Sequence, residues 1–350
     1  MAQNVTIRDL AERTGTSVAS VHRALYGLRG VSDELREKIL AEAKASHYQP
    51  DPTASMLKRG ALNIAVLLPK PEGMDRFYYR GLWEGTRQCV EGLRNARVDF
   101  TLIEAPQGID HIGDALEELY DRTDETLNGL VTICDDESAA GWIRRFIRRG
   151  TRVALMDRGF EIPDLICSVE TSMEDMARMA TDIILKLSAD DERPLLLMNG
   201  SGIRTSYRRY ADSVQQAVNE WAPQRQLITV DTSDVDTACT QLEEVLRGDG
   251  CSGIIASGAR TTYVTCSRIQ ELKDSLAELP PMIGTDVFEE LAPYFEEGIL
   301  TATIYQSHLE HGERAIRYLY DSFFDYSSRK EERIMERLSI VIRDNFKYFI

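Results

Sequence analysis

Small hydroxylated side chains and one arginine stand close together near residue 20 of this 350-residue chain. Thr16, Ser17 and Ser20 open a short segment with helical periodicity, and Arg23 follows one turn later. When a helix enters the major groove of DNA, its N-terminal part reaches the base edges. The order of these residue types therefore favours a DNA-contacting helix. Periodicity alone is also compatible with a small three-helix domain that has no such role.

Three helices are expected to position these side chains. Thr6 and Asp9 have the spacing of a capping box at the start of the first helix, and Gly15 interrupts the apolar pattern after it. Ser17 and Ser32 stand where they can cap the second and third helices. Two short helices that meet at a glycine-containing turn and are closed by a third form a helix-turn-helix domain, so an all-α head is predicted.

The charge of the chain is distributed unevenly. The net charge is −16, which taken globally argues against binding to nucleic acid. Residues 1–60, however, carry nine Lys and Arg and seven Asp and Glu, so the head is at +2 and the remainder at −18. A mildly basic head joined to an acidic body indicates that only the head meets a polyanion.

Four segments of the head carry a resemblance to a known family. They read VTIRDLA at 5–11, GTSVASVHRALYG at 15–27, VSDELREKI at 31–39 and YQPDP at 48–52. This pattern resembles the DNA-binding head of lactose-repressor/galactose-repressor-type (LacI/GalR) transcription regulators. The resemblance implies a homodimer on near-palindromic, double-stranded operator DNA. It also implies a helix-turn-helix domain at 1–49, with a hinge helix and linker at 50–61.

The same resemblance assigns DNA contacts to nine positions. They are Thr6, Ser17, Val18, Ala19, His22, Arg23, Ser32, Ala54 and Leu57. The three hydroxylated residues match phosphate contacts, and Leu57 matches a hinge leucine that enters the minor groove. Val18 and Ala19 match base-reading positions, where apolar side chains can contact thymine methyl groups but cannot form bidentate hydrogen bonds. Asp51 and Pro52 depart from the usual hinge pattern.

After residue 60 the chain alternates apolar runs with helical patterns, which predicts parallel sheets covered by helices. Strands are expected at 64–68, 100–103, 130–134, 153–156, 195–198, 227–230, 254–256 and 302–305. Residues 62–350 exceed one usual domain, so two α/β lobes are predicted, with a crossing near 159–163. Lobe 1 is placed at about 62–158 and 307–325, and lobe 2 at about 159–306 and 326–350.

Several body segments resemble the periplasmic-sugar-binding-protein fold that forms the body of the same regulators. They are YYRGLWEG at 78–85, LMDR at 155–158, GTD at 284–286, ATIYQ at 302–306 and GERA at 312–315. In this fold the ligand lies between the lobes, beyond the carboxyl ends of the strands. The resemblance places Tyr78, Asp286 and Gln306 at ligand-contacting positions.

Arginines near the predicted strand ends add a further group of candidates. Arg158, Arg204, Arg208 and Arg260 are expected in loops that face the cleft, although each taken singly is also compatible with a solvated helix face. A guanidinium binds carboxylate or phosphate through two parallel hydrogen bonds. A small metabolite, a sugar or sugar acid, is therefore expected as effector, with a slight preference for an anionic one.

Sequence motifs for catalysis and cofactor binding are absent. No GxGxxG follows a predicted strand, and there is no GxxxxGK[ST], GxSxG or HExxH. The six cysteines form no CxxC pair, so neither a metal site nor a disulfide framework is expected. His308 and His311, three residues apart, are interpreted as a surface pair. The sequence thus predicts a protein that is not an enzyme and uses no cofactor.

The apolar runs are far shorter than the roughly 20 residues that span a membrane. Charged residues also interrupt the first 25 positions, so no membrane contact is expected and a cytoplasmic location is predicted. The main alternative to a ligand-responsive repressor is a metabolite-binding protein without a regulatory role. A hydrolase or kinase on an α/β scaffold is a more remote alternative.

Overall fold

The structure is a computed structural model. The residues it describes are 5–25, 30–46, 48, 62–74, 76–94, 96, 98–124, 126–158, 160–324 and 332–350. Ala54 and Leu57, predicted to contact DNA from the hinge, lie outside the described residues. The backbone of His22 and Arg158 is described, but their side chains are not.

The head contains three helices: α1 (Ile7–Thr14), α2 (Val18–Leu25) and α3 (Asp33–Ala45). The capping box at α1 is present, since the Asp9 carboxylate accepts from the Thr6 amide at 2.7 Å and the Asp9 amide donates to Thr6 Oγ1 at 3.3 Å. Ser32 Oγ accepts from the Leu35 amide at 3.4 Å. The helices enclose a small apolar core made of Leu10, Ala11, Val21, Ala24, Leu25 and Ile39.

Twelve strands are described in the body. In chain order they are β1 (Leu62–Pro69), β2 (Val98–Ala105), β3 (Gly129–Cys134), β4 (Arg152–Arg158), β5 (Cys167–Glu170), β6 (Leu195–Asn199), β7 (Leu227–Asp231), β8 (Gly253–Ala256), β9 (Met282–Thr285), β10 (Ala302–Tyr305), β11 (Glu332–Met335) and β12 (Ser339–Val341). They form two sheets, ordered β11-β5-β4-β3-β1-β2 and β12-β10-β9-β8-β6-β7. All described pairs are parallel except β10 with β12.

The body helices follow the strands on both faces of the sheets. They are α4 (Arg76–Gly92), α5 (Ile112–Arg122), α6 (Glu137–Arg149), α7 (Met173–Leu187), α8 (Thr205–Trp221), α9 (Val235–Arg247), α10 (Ala259–Leu272), α11 (Ala292–Glu296) and α12 (His308–Ser322). The predicted two-lobed architecture of parallel sheets is confirmed. No helix in the described part of the chain is long and apolar enough to cross a membrane.

The division between the lobes differs from the predicted one. β5 pairs with β4, and β11 pairs with β5, so both strands belong to the first sheet. The predicted starts of lobe 2 at 159 and 326 are therefore wrong for these two segments. Both strands have only four residues, too few to produce a recognisable apolar run, and their position depends on backbone pairing with a distant part of the chain.

Helices α4 and α12 pack unusually closely against each other on the first sheet. A Cβ atom at Gly85 would lie 1.9 Å from the Leu309 carbonyl oxygen, and one at Gly312 would lie 2.3 Å from the Leu82 carbonyl oxygen. Only glycine allows the two backbones this separation. The close contact brings the first turn of α12 against Tyr78 on α4.

Candidate functional site

A cavity of about 910 Å³ lies where the carboxyl ends of the two sheets face each other. Strand ends β4 and β9 and the start of α8 border it, in the place where parallel α/β folds hold ligands. The cavity is lined by five of the seven residues that the sequence analysis placed at the cleft, namely Tyr78, Arg204, Arg260, Asp286 and Gln306. Arg208 is not among the lining residues, and Arg209 lies there instead.

Asp286 follows β9 at the floor of the cavity and is almost wholly buried. Its backbone has φ of +72°, a left-handed conformation that aspartate tolerates better than most side chains. Oδ1 of Asp286 accepts from Gln306 Nε2 at 2.8 Å and lies 2.7 Å from His308 Nε2. Two donors thus hold this carboxylate in one orientation.

Asp157 stands at the matching position in the other lobe, as the penultimate residue of β4, and also has a left-handed backbone, with φ of +65°. The Tyr78 hydroxyl donates to Asp157 Oδ2, and His311 Nε2 lies 3.7 Å from Oδ1. Burial alone would raise the pKa of Asp157, but the hydrogen bonds and charge of His311 and the Tyr78 hydroxyl outweigh it and lower the pKa. Asp157 is therefore ionised at neutral pH.

The interpretation of His308 and His311 as a surface pair is wrong. Their relative exposures are 3% and 0%, because α12 packs its first turn against α4 and the strand ends. His311 Nδ1 lies 3.2 Å from the Ser307 carbonyl, and Nε2 lies 3.3 Å from Thr171 Oγ1. Sequence analysis missed both residues, although Gly312, which marks the close helix contact, was the available signal.

Two polar contacts cross the cleft between the lobes. Arg204, before α8, forms an ion pair with Asp110 at 2.9 Å. Ser206 donates to Asp135 twice, from its amide at 3.0 Å and from Oγ at 2.6 Å. The Asp135 carboxylate thus caps the start of α8 from the opposite lobe. One of the arginines predicted to bind ligand is therefore already paired with a carboxylate of the protein.

The charge around the cavity is predominantly negative. Among the described side chains that line it, eight are carboxylates and four are arginines. The carboxylates are Asp110, Asp135, Asp136, Asp157, Glu170, Glu174, Asp175 and Asp286. Of the arginines, Arg204 and Arg333 are paired with Asp110 and Glu170. This balance does not favour the anionic ligand that the arginines alone suggested.

In the head, α2 divides its side chains between core and solvent. Val21, Ala24 and Leu25 are buried, whereas Val18 is 40% exposed and Ala19 is exposed beside it. Ser17 Oγ accepts from the Ser20 amide at 3.0 Å, so this serine caps the helix. Ser17, which precedes α2, and Val18, Ala19 and Arg23 within it are all exposed and able to meet a partner.

Residues 124–323 match the family described as periplasmic binding protein domain. The chain belongs to this family. Among solved structures, the chain is similar to a LacI transcriptional regulator from Bacteroides fragilis, at 14% identity and a TM-score of 0.69 over 83% of this chain and 99% of that one. A solute-binding protein from Burkholderia graminis in complex with D-arabinose also has a TM-score of 0.69, at 13% identity over 82% of this chain and 96% of its own.

Curated relatives extend over both the head and the body. The HTH-type transcriptional repressor PurR of Vibrio campbellii is 24% identical over 378 residues, covering 98% of each chain. PurR of Vibrio cholerae is 24% identical over 382 residues, again with 98% of each chain. The resemblance to lactose-repressor-type regulators that the head motifs predicted is thereby confirmed. The similar proteins are repressors and sugar-binding proteins.

Proposed function

We propose that this protein is a transcription regulator, acting as a repressor, that binds double-stranded operator DNA as a homodimer. The head at 1–49 reads the DNA, 50–61 forms the hinge, and 62–350 binds a small effector between its lobes. The observation that carries the proposal is the exposed face of α2, with Val18, Ala19 and Arg23 presented to solvent. Similarity to repressors over 98% of the chain supports the same function. Such a regulator acts in the cytoplasm, where the DNA is.

Capture of genomic DNA fragments by the purified full-length protein, followed by sequencing, tests this proposal. We expect a near-palindromic site to be enriched, and Arg23→Ala to abolish its enrichment. Arg13→Ala is the matched control, because this exposed arginine pairs with Glu42 on α3 at 3.4 Å instead of lying on α2. Equal enrichment by the wild-type protein and the Arg23 variant would contradict the assignment of α2.

We propose a sugar as the effector, with a sugar acid as the outcome to be distinguished. The buried carboxylates Asp157 and Asp286 can accept hydrogen bonds from hydroxyl groups, and Tyr78 offers an aromatic ring. The excess of carboxylates favours a neutral ligand over an anionic one. A ligand shifts the lobe closure only through its different affinities for the two closure states, and operator DNA then changes ligand affinity by the same factor.

A thermal-shift panel of neutral sugars, sugar acids and sugar phosphates tests the effector proposal. We expect a neutral sugar to stabilise the protein, and Asp286→Asn with Gln306→Ala to remove that stabilisation. Arg208→Ala serves as the control, because Arg208 is not among the residues that line the cavity. Stabilisation that survives the double substitution would exclude the cavity as the site.

A metabolite-binding protein without a regulatory role is the second candidate. Solute-binding proteins share its body fold, including an arabinose-binding protein from Geobacillus stearothermophilus with a TM-score of 0.63 at 17% identity. A protein of that kind would not need the helix-turn-helix head. It would be favoured if a sugar bound the cavity while no DNA fragment was enriched. Turnover of the bound sugar would instead indicate an enzyme.

A further inference from the structure

The first turn of α12 contacts both of the aspartates that end strands at the cavity. His308 lies 2.7 Å from Asp286 Oδ1, in the second lobe, and His311 lies 3.7 Å from Asp157 Oδ1, in the first. The aspartates line the cavity, but the two histidines lie behind them. One helical turn therefore supports one ligand-facing carboxylate in each lobe.

The surroundings of His311 decide which hydrogens its ring carries. Nδ1 faces the Ser307 carbonyl oxygen, which can only accept, so Nδ1 must be protonated. Nε2 faces Asp157, an ionised carboxylate, and Thr171 Oγ1. An unprotonated Nε2 would accept from the Thr171 hydroxyl at 3.3 Å, whereas a protonated one would place a positive charge 3.7 Å from the Asp157 carboxylate. The negative charge of Asp157, 3.7 Å from Nε2, therefore favours the cationic form of the ring, in which both nitrogens are protonated.

The charges around His311 act in the same direction. Burial alone would lower the pKa of His311, but the hydrogen bond and charge of Asp157, the Ser307 carbonyl and the charge of Glu336 together raise it. The Asp157 carboxylate in turn faces the Tyr78 hydroxyl and the charge of His308. Both pKa shifts thus favour the charged forms of His311 and Asp157, whose Nε2 and Oδ1 atoms lie 3.7 Å apart as a buried ion pair.

His308 and Tyr78 connect this ion pair to the second lobe. The Tyr78 ring contacts the His308 ring edge-on, with 4.5 Å between centroids, while its hydroxyl donates to Asp157. His308 Nε2 must donate to Asp286, because a carboxylate Oδ1 at 2.7 Å accepts. A ligand that moves either aspartate thus acts on the same turn of α12.

We propose that His308 and His311 are positioning residues of the ligand cavity, which hold Asp286 and Asp157 oriented toward the ligand and so couple the two lobes through α12. This inference rests on the proposed binding of an effector in the cavity. Its advantage for binding is preorganisation, since carboxylates that are already fixed lose little freedom when a hydroxyl group donates to them. A ring that carries a proton also makes ligand affinity depend on pH near neutrality.

Nuclear magnetic resonance of the ¹⁵N-labelled histidine rings tests the proton assignment without any ligand. The chain has five histidines, so substitution of one histidine at a time by glutamine assigns the signals. We expect the His311 ring to lose its second proton at a higher pH in the wild-type protein than in Asp157→Asn. Asparagine tolerates the left-handed backbone at this position, so the variant is expected to fold. A wild-type His311 ring that loses its second proton below the ordinary range of histidine, or no change in Asp157→Asn, would overturn the ion pair.

Calorimetry with D-arabinose as the first probe, followed by the other neutral sugars, tests the effect on binding. For a sugar that binds, we expect the wild-type affinity to fall between pH 6.5 and 8.5. His311→Gln keeps an amide donor but no titratable proton, so its affinity should be about tenfold weaker at pH 6.5 and independent of pH. His308→Gln keeps the donor to Asp286 and should retain most of the affinity, whereas His308→Ala should lose it.

His47→Gln, a substitution in the head, is the control for histidine replacement as such. Wild-type affinity and pH dependence in both His311→Gln and His308→Ala would overturn the positioning role. Failure of every sugar to bind the wild-type protein would instead count against the proposed effector site, and with it against the ligand-positioning part of the inference. In either case, the ¹⁵N signals of the His311 ring test whether His311 and Asp157 form an ion pair.

Discussion

Gly85 and Gly141 form a matched pair of helical glycines with opposite expected responses to alanine. Gly85 lies in α4 against α12, where a Cβ would approach the Leu309 carbonyl oxygen to 1.9 Å. Gly141 lies in α6, and a Cβ there would meet no atom within 4 Å. The local helix preference is the same for both substitutions. Any difference between them therefore measures the α4–α12 contact.

The expected changes in the free energy of unfolding follow from the surroundings of the two glycines. Alanine in a helix interior is about 1 kcal/mol more favourable than glycine, so Gly141→Ala should stabilise the body by up to about that amount. At Gly85 this gain is opposed by overlap with a backbone carbonyl, which cannot move aside as a side chain would. Overpacking of this kind costs about 1–3 kcal/mol or more, so Gly85→Ala should be destabilising overall and at least about 1–2 kcal/mol less stable than Gly141→Ala.

Urea unfolding of the full-length variants, followed by circular dichroism, measures this difference through the midpoint concentrations. We also expect Gly85→Ala to disturb the His311 ring signal, because separation of α12 from α4 moves its first turn away from Tyr78. A Gly85→Ala protein as stable as Gly141→Ala would refute the close approach of the two helices. It would also remove the basis for placing His308 and His311 behind the cavity.

Three further predictions concern DNA, pH and assembly. Replacement of thymine by uracil opposite Val18 or Ala19 removes only a methyl group and should weaken operator binding by about 1 kcal/mol in a gel-shift titration, so full affinity at every thymine would contradict apolar base contact. The pKa of His311 is raised in the folded state, so the stabilisation from its protonated ring is fully present below the unfolded-state pKa and is lost as pH rises through the folded-state pKa. The free energy of unfolding, measured between pH 6 and 9, should therefore fall more steeply in the wild-type protein than in His311→Gln. Sedimentation should give a homodimer at micromolar concentration, because two-fold symmetry matches a near-palindromic site, and a monomer would contradict this.

Local chemistry made much of the head and the sheets predictable from the sequence. Thr6, Ser17 and Ser32 act as helix caps because their short side chains reach the amides three residues ahead. The long apolar strands were also recognisable, because strands buried on both faces are nearly continuous in apolar residues. Strands such as Cys167–Glu170 and Ser339–Val341 were not recognised, because three or four residues do not establish a period.

The residue types of the cavity were predictable, but their pairing was not. Resemblance to the sugar-binding fold placed Tyr78, Asp286 and Gln306 at the cleft, and all three line the cavity. Arg204 was expected to be available to an anionic ligand, yet it is paired with Asp110, which lies 94 positions earlier in the chain. No local pattern encodes such a pair, because it forms only when two loops from different lobes meet.

By itself the sequence determined the helix caps, the charge difference between head and body, the α/β alternation and the side chains available for binding. The helix caps and the α/β alternation depend on neighbours within a few residues, where propensity and hydrogen bonding act directly. The charge difference and the available side chains follow from composition alone. The tertiary structure alone decided the lobe to which β5 and β11 belong, the burial of His308 and His311, and the predominantly negative cavity. These features arise from contacts between distant segments. The close packing of α12 against α4 at Gly85 buries His308 and His311, which the sequence analysis had interpreted as a surface pair, next to Asp286 and Asp157.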